Sequence, residues 1–339
     1  AELARLAENV WPMGADRGPD GQVSFAGVGA EELAQRYGTP LFVIDEADFR
    51  TRARRIAAAF GGGEHVHYAA KAFLCSEIAR WVEQEGLSLD VATGGELGVA
   101  LHAGFPPSRI TLHGNNKSLD ELRFALREQV RYVVVDCDEE LDRLERLHAE
   151  GLPVPRVVLR ITPGVHAHTH EYIATGQDDS KFGFNLGNGD AAAAVDRARR
   201  SPAVNLVGVH CHIGSNVFAV ESFARAAEVM AEFAAPLDLP ELVLGGGLGV
   251  PYVGGEEAPT LTEWGRVVLD ACRSLDVRSR VSVEPGRSIV AAAAIIGFLG
   301  YGVSLALFVL AGKQHRQKDY RQRHQHQGPD HSLLVCAIQ

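Results

Sequence analysis

The sequence predicts an α/β protein built on a closed (β/α)8 barrel, and three observations carry that reading. From about residue 65, short β-rich runs alternate with amphipathic helical stretches, as repeated strand–helix units around a parallel sheet require. Eight such runs can be counted, the number that closes a barrel. Unusual polar residues and glycines collect at the C-terminal ends of those runs, where barrel enzymes place their sites. An open doubly wound sheet is the competing arrangement, because periodicity alone does not reveal closure.

The strands are expected at His67–Lys71, Ser88–Ala92, Ile110–Gly114, Tyr132–Asp136, Val157–Ile161, Val207–Ile213, Leu242–Gly247 and Val281–Gly286. Helix signals fall between them. Ser118 followed by Glu121 reads as a capping box, and Asp138 precedes a Leu141, Leu144, Leu147 stripe with the spacing of a barrel-facing helix. Residues 1–36 form an N-terminal segment with a Gly/Asp/Pro-rich stretch, Gly14 to Gly21, and Val23-Ser24-Phe25 as a candidate strand outside the barrel. Leu41–Asp45 and the helix after it lead into a barrel placed at residues 37–293. Between Arg287 and Lys313 no charged residue occurs, and this stretch is long enough to span a bilayer. Its Ala and Gly content, and its start where a barrel strand has just ended, argue against a membrane helix. Residues 294–339 read as a divergent tail, apolar and then basic and polar, with no apolar periodicity in Gln314–Gln327.

Composition narrows the function. With 46% apolar and 22% charged residues in a 339-residue chain, the class is that of a soluble globular enzyme. A net charge of −10 argues against a general nucleic-acid binder, which needs a dense Lys/Arg surface. The five cysteines are scattered, odd in number and without a CxxC pair, which fits a reducing cytoplasm better than a disulfide or zinc framework. Ala1 to Asn9 lacks the apolar run of a secretory signal, so export is not expected.

The strand ends carry the chemistry. Gly245-Gly246-Gly247-Leu248-Gly249 after strand seven and Gly286-Arg287 after strand eight fall where barrels bind phosphate, and glycines let backbone N–H groups approach an anion closely. Lys71 closes an otherwise apolar strand. Alone it would read as a lysine snorkelling to solvent, but beside a phosphate site it can form a Schiff base with an aldehyde cofactor. Glu284 faces the same mouth and could keep a pyridine nitrogen protonated, or could form a strand-end salt bridge with Arg287 or Arg160. His210 and His212 share one strand face, a spacing that invites zinc and makes a metallohydrolase barrel the runner-up. The run His166-Ala167-His168-Thr169-His170 adds to that reading, but no companion carboxylate-and-His set completes a site.

Together, His67-Tyr68-Ala69-Ala70-Lys71, Asp90 through Gly94-Gly95-Glu96-Leu97, His113-Gly114-Asn115-Asn116-Lys117-Ser118, Lys181-Phe182-Gly183, His210 through Ser215, Gly245 through Gly249 and Glu284-Pro285-Gly286-Arg287 resemble the alanine-racemase-fold decarboxylases. Within them they resemble the diaminopimelate decarboxylase family, over residues 36 to 293. The resemblance implies pyridoxal 5'-phosphate as cofactor, held covalently by Lys71, with His212 stacked on its ring and Glu284 on its pyridine nitrogen. Ser215, Gly245, Gly246, Gly247 and Gly286 would bind the phosphate. Asp90, Glu96 and Arg160 would shape the surroundings of the lysine and cofactor, and Arg287 would meet a substrate carboxylate. No metal is implied. Asn115 to Ser118 favours diaminopimelate over ornithine or arginine. The implied reaction converts meso-diaminopimelate to L-lysine and CO2 in lysine biosynthesis, in a cytoplasmic homodimer.

In this family the proton donor is a cysteine with a nearby carboxylate on a C-terminal β domain, reaching into the neighbouring subunit's site. After about Ala294 there is no Cys-Glu-Ser-Gly motif, and Cys336 in Leu334-Val335-Cys336-Ala337 lacks the carboxylate neighbour. The usual β domain, and much of the dimer interface with it, is therefore expected to be largely absent. A cofactor-binding but inactive or regulatory relative, or a decarboxylase of another basic amino acid, is the alternative.

Overall fold

The structure is a computed structural model and describes residues 6–165, 181–275, 277–297, 326–327 and 333–337. The chain divides into two compact units, one of Arg54–Gly249 with Pro259–Gly286, the other of Ala1–Ala53, Val250–Ala258 and Arg287–Gln339.

In the unit that holds the termini, β1 (Ala15–Arg17), β2 (Val23–Phe25) and β3 (Val28–Gly29) form an antiparallel meander. The Gly/Asp/Pro-rich stretch supplies β1 and the β1–β2 turn, where Gly21 takes a φ of 85° that a side chain would resist. Helix α1 (Ala30–Tyr37) precedes β4 (Leu41–Asp45), and α2 (Glu46–Phe60) follows it.

The other unit carries the barrel. Its eight strands are β5 (His67–Ala69), β6 (Ser88–Val91), β7 (Ile110–Leu112), β8 (Tyr132–Val135), β9 (Arg156–Thr162), β11 (Asn205–His210), β12 (Glu241–Val243) and β13 (Arg280–Ser282), paired in parallel in that order. The short β10 (Phe184–Asn185) pairs with the end of β9. A parallel Val66–Val283 bridge joins the two ends of the sheet, with the amides of His67 and Val283 donating to the carbonyls of Val283 and His65 at 2.8 and 2.9 Å. The open-sheet alternative is thereby excluded. Every expected strand is present. Lys71, expected as the last residue of a strand, instead sits in a 3-10 turn, Ala70–Ala72, directly after β5.

Helices α3 (Ser76–Gln84), α4 (Gly94–His102), α5 (Leu119–Arg127), α6 (Asp138–Ala149), α7 (Asp190–Arg200), α8 (Val220–Ala234) and α9 (Leu261–Ser274) occupy the crossovers. The α6 stripe Leu141, Leu144 and Leu147 is buried as expected, each side chain contributing about 1.5–3 kcal/mol relative to exposure. The box at α5 is complete: the Glu121 amide donates to Ser118 Oγ at 3.1 Å, and the Ser118 amide to Glu121 Oε2 at 3.0 Å.

The chain then forms α10 (Arg287–Val290), β14 (Ala294–Gly297), β15 (His326–Gln327) and β16 (Leu333–Ala337). Strands β14 and β16 flank β4 in an antiparallel sheet of order β14-β4-β16-β15. The segment expected to lead into the barrel is thus an inner strand of this second sheet. Its neighbours come from the region read as a divergent tail, because the apolar alternation of Ile295, Leu333 and Val335 packs with Val23, Phe25, Leu33 and Val43. Most of the uncharged stretch lies outside the described residues, and no described helix is long and apolar enough to cross a membrane.

Candidate active site

Strand side chains alternate between faces, so residues two apart stack in layers inside a barrel. At the strand starts, Tyr132 donates its hydroxyl to Glu241 at 2.6 Å, and Arg280 reaches the same carboxylate. Two residues on, Val134, Val158 and Val243 make an apolar layer with Tyr132 and Val207. Two further on, the residues turn polar. Asp136 accepts from Arg160 at 3.3 Å, and His210 and Glu284 meet at 3.0 Å. The apolar layer lies below, and Arg160, His210 and Glu284 of the polar layer line a cavity at the C-terminal mouth with Lys71, Asp90, His113 and His212.

Burial pushes the Lys71 pKa down from its ordinary value; Glu284 opposes this and Arg160 reinforces it, enlarging the fraction present as free amine. Glu96 lies close enough to act on Lys71 electrostatically, and its carboxylate accepts from the Ala92 amide at 2.6 Å at the N-terminus of α4. Burial and the Lys71 and Arg160 charges hold His212 well below the usual histidine range, so its ring is neutral. The Gly246 amide donates to His212 Nδ1 at 3.3 Å, which fixes the tautomer with its proton on Nε2.

Glu284 stands at the centre. His113 Nε2 lies 3.1 Å from Oε1 and His210 Nε2 lies 3.0 Å from Oε2. Burial opposes ionisation of this carboxyl, but the two histidines outweigh it and hold Glu284 well below the usual carboxylate range. Burial likewise works against charge on His113, yet Glu284 and Asp90 together raise it to about 9. Burial lowers His210, leaving it a neutral donor. Burial also pushes the Cys211 thiol up to about 12, so the cysteine between the two strand histidines is inert.

The alternative of a strand-end salt bridge between Glu284 and Arg287 or Arg160 gives way to two histidine contacts. The sequence assigns His113 no role of its own; it stands at a strand end and opens the His113-Gly114-Asn115-Asn116-Lys117-Ser118 motif. Arg287 opens α10 in the other unit, where its guanidinium bonds the Tyr252 hydroxyl. The zinc pairing of His210 with His212 is not formed. The group among the described residues that could hold a metal ion is His113, His210 and Glu284, and His166, His168 and His170 lie outside those residues.

The glycine run has a further cause. A Cβ on Gly246 would fall 1.9 Å from the Glu284 carbonyl oxygen, and Cβ atoms on Gly245 and Gly247 would meet the carbonyls of Cys211 and Gly214 at 2.5 and 2.0 Å. These glycines let three chain segments cross closely, so a β-branched residue at Gly246 breaks the framework before it tests any anion. Ser215 is brought to this crossing, since the Val217 amide donates to the Gly247 carbonyl at 2.8 Å. Gly286 packs against the Lys71 turn, where a Cβ would lie 2.9 Å from that of Ala72. Of the motif read for substrate choice, Asn115 lines the cavity. Ser118 caps α5, and Lys117 is buried against Glu140 at 2.8 Å.

The pyridoxal-binding domain of the pyridoxal-dependent decarboxylases matches residues 46–291. The chain is 49% identical over 303 residues to a diaminopimelate decarboxylase of Mycobacterium tuberculosis, covering 85% of this chain and 68% of that protein. It is 49% identical over 305 residues to that of Mycobacterium leprae, of which it spans 64%. Among solved structures, a diaminopimelate decarboxylase from M. jannaschii superposes with a TM-score of 0.78 at 31% identity, over 86% of this chain and 70% of that one. One from Helicobacter pylori complexed with L-lysine gives 0.72 at 32%, over 78% and 68%.

Proposed function

Because the chain belongs to the diaminopimelate decarboxylase family of pyridoxal-dependent decarboxylases, we propose that it acts on meso-diaminopimelate, releasing CO2 and forming L-lysine. The observation that carries this reading is the pairing, in one cavity, of a buried lysine with a lowered pKa and a buried, ionised glutamate. Pyridoxal 5'-phosphate fits these residues. Glu284 Oε1 is buried without a directed hydrogen bond among the described residues, so it has an acceptor position for a protonated ring nitrogen.

When bound, the pyridoxal ring supplies the electron sink for the pair left at the α-carbon as CO2 departs. Lys71 would hold the cofactor through its amine. Neutral His212, its orientation set by the Gly246 amide, would lie against the ring without adding charge to it. Ser215, Gly245–Gly247 and Gly286 would hold the phosphate. Asp136 fixes Arg160, and Arg160, Asp90 and Glu96 act with Glu284 on the charge at Lys71. Arg287 would meet a substrate carboxylate in a charge-assisted pair. The compartment is the cytoplasm, supported by the free cysteines Cys75, Cys137, Cys211 and Cys272, and the enzyme is a homodimer, supported by the family resemblance.

The protein incubated with pyridoxal phosphate and reduced with borohydride should carry the cofactor on the peptide containing Lys71, and CO2 should be released from meso-diaminopimelate in preference to ornithine or arginine. A label on another lysine, or preference for a mono-carboxylate diamine precursor, would overturn the reading.

A further inference from the structure

The reaction as derived assigns no part to the two histidines on Glu284. They arrive from separate places: His210 is the last residue of β11, and His113 follows β7, its amide donating to the Val91 carbonyl at 2.7 Å. Both rings present Nε2 to the one carboxylate, at 3.0 and 3.1 Å, and they lie edge to face with centroids 5.2 Å apart. The contacts continue outward. His113 Nε2 is 3.6 Å from Asp90 Oδ1, and the same oxygen is 3.1 Å from His67 Nδ1. Imidazoles and carboxylates therefore alternate across the barrel interior as His67, Asp90, His113, Glu284 and His210.

We propose that His113 and His210 are positioning residues that hold the Glu284 carboxylate ionised and aimed, one imidazole on each oxygen, so that a remaining lone pair meets the protonated pyridine nitrogen. This deepens the decarboxylase reading and rests on it. An isolated carboxylate with 9% side-chain exposure would take up a proton, because low-dielectric surroundings penalise the charge. A protonated Glu284 would have no charge to offer the ring nitrogen. A carboxylate has about four lone-pair positions, and the histidines occupy at most two. The contact from His113 is short but poorly directed, for among the described residues neither its Nε2 nor Glu284 Oε1 has a well-aligned hydrogen bond. The acceptor direction on Oε1 thus stays open while the charge beside it is compensated. Stiff imidazoles, one ending β11 and one directly after β7, fix the carboxylate better than a long cation could, since they have two side-chain torsions instead of four or more.

The test compares His113→Leu and His210→Leu, which remove the donor, with His113→Gln and His210→Gln, whose amide reaches about as far as Nε2. Where a leucine variant does not fold by circular dichroism, the asparagine variant, too short to reach Glu284, takes its place. Pyridoxal phosphate affinity is measured by absorbance titration, and the protonation of its ring nitrogen by NMR of cofactor labelled with 15N at that atom. Loss of either donor should weaken cofactor binding by about 10–100-fold, the range for a hydrogen bond to a charged group. It should also shift the nitrogen resonance toward the unprotonated position, with kcat falling more than KM rises. The glutamine variants should recover most of both. Unchanged affinity and nitrogen shift in the donor-less variants would overturn the proposal. So would glutamine variants no better than leucine, or an unliganded protein that takes up one zinc ion at these residues and binds the cofactor only after chelation. If the unaltered protein fails to attach the cofactor at Lys71, the decarboxylase reading itself falls; if it attaches the cofactor and the variants match it, only the positioning role does.

Discussion

A histidine wedged between two buried carboxylates ties the pH dependence of folding to the site. His113 is raised to about 9 by Glu284 and Asp90 against the effect of burial, while an unfolded histidine titrates near its usual value of about 6.5. A raised folded-state pKa contributes stability that is fully present below the unfolded value and is lost as pH climbs through the folded one. Lys71 acts in the opposite sense, because its lowered pKa makes the folded state shed a proton that the unfolded state keeps. The informative quantity is therefore the difference in urea stability between the unaltered protein and His113→Gln. That difference should be largest near pH 6 and should shrink steadily between pH 7 and 10. A constant difference would show that His113 is neutral, despite facing Asp90, Glu284 and the more distant Glu96. At this scale the sequence makes legible which strand-end residues meet, since Lys71, Glu284 and His212 line one cavity. His113 was not legible, because its surroundings come from two carboxylates, Asp90 in β6 and Glu284 just after β13, and no local pattern joins them.

Among the elements, the loop from β7 into α5 shows how neighbouring residues of one motif serve different ends. Lys117 Nζ donates to the Gly114 and Val134 carbonyls, each at 2.6 Å, and to Glu140 Oε2 at 3.0 Å, while the same carboxylate oxygen accepts from the Asp136 amide at 2.7 Å. Lysine and glutamate together tie the strand ends that present His113, Asn115 and Asp136. Breaking such a buried pair by removing one partner leaves an uncompensated charge, so Lys117→Met should destabilise the protein by about 3–5 kcal/mol. Ser118→Ala removes only a cap and should cost about 1 kcal/mol. Equal losses in chemical denaturation would mean that Glu140 is neutralised when Lys117 is gone. The capping box was readable because its two members lie three residues apart and carry a signature of their own. The Lys117–Glu140 pair spans 23 residues, and the lysine sits in a stretch that also reads as substrate recognition. The second sheet was hidden for a related reason: β4 is a clear strand on its own, but its partners β14 and β16 lie more than 240 residues away.

For the molecule as a whole, repetition made the eight barrel strands legible while closure stayed invisible. Each strand–helix unit repeats the same apolar rhythm, and that rhythm is identical in an open sheet and in a barrel. The difference lies in one seam, where the His65 and His67 backbone meets Val283 and the Ala69 amide donates to the Pro285 carbonyl at 2.9 Å. The seam holds Lys71 and Glu284 on adjoining segments, so the cavity that they line depends on it. In an open sheet β5 and β13 would be edges with unpaired amides facing solvent, and edge strands are the first to lose protection. Closure makes them interior strands. Hydrogen–deuterium exchange by mass spectrometry should therefore find the peptides spanning 65–69 and 281–285 exchanging as slowly as those spanning 132–135 and 156–162, in protein without cofactor. Fast exchange confined to the two seam peptides would show that the barrel opens there. It would also mean that the lysine and the glutamate are brought together only when a ligand bridges them.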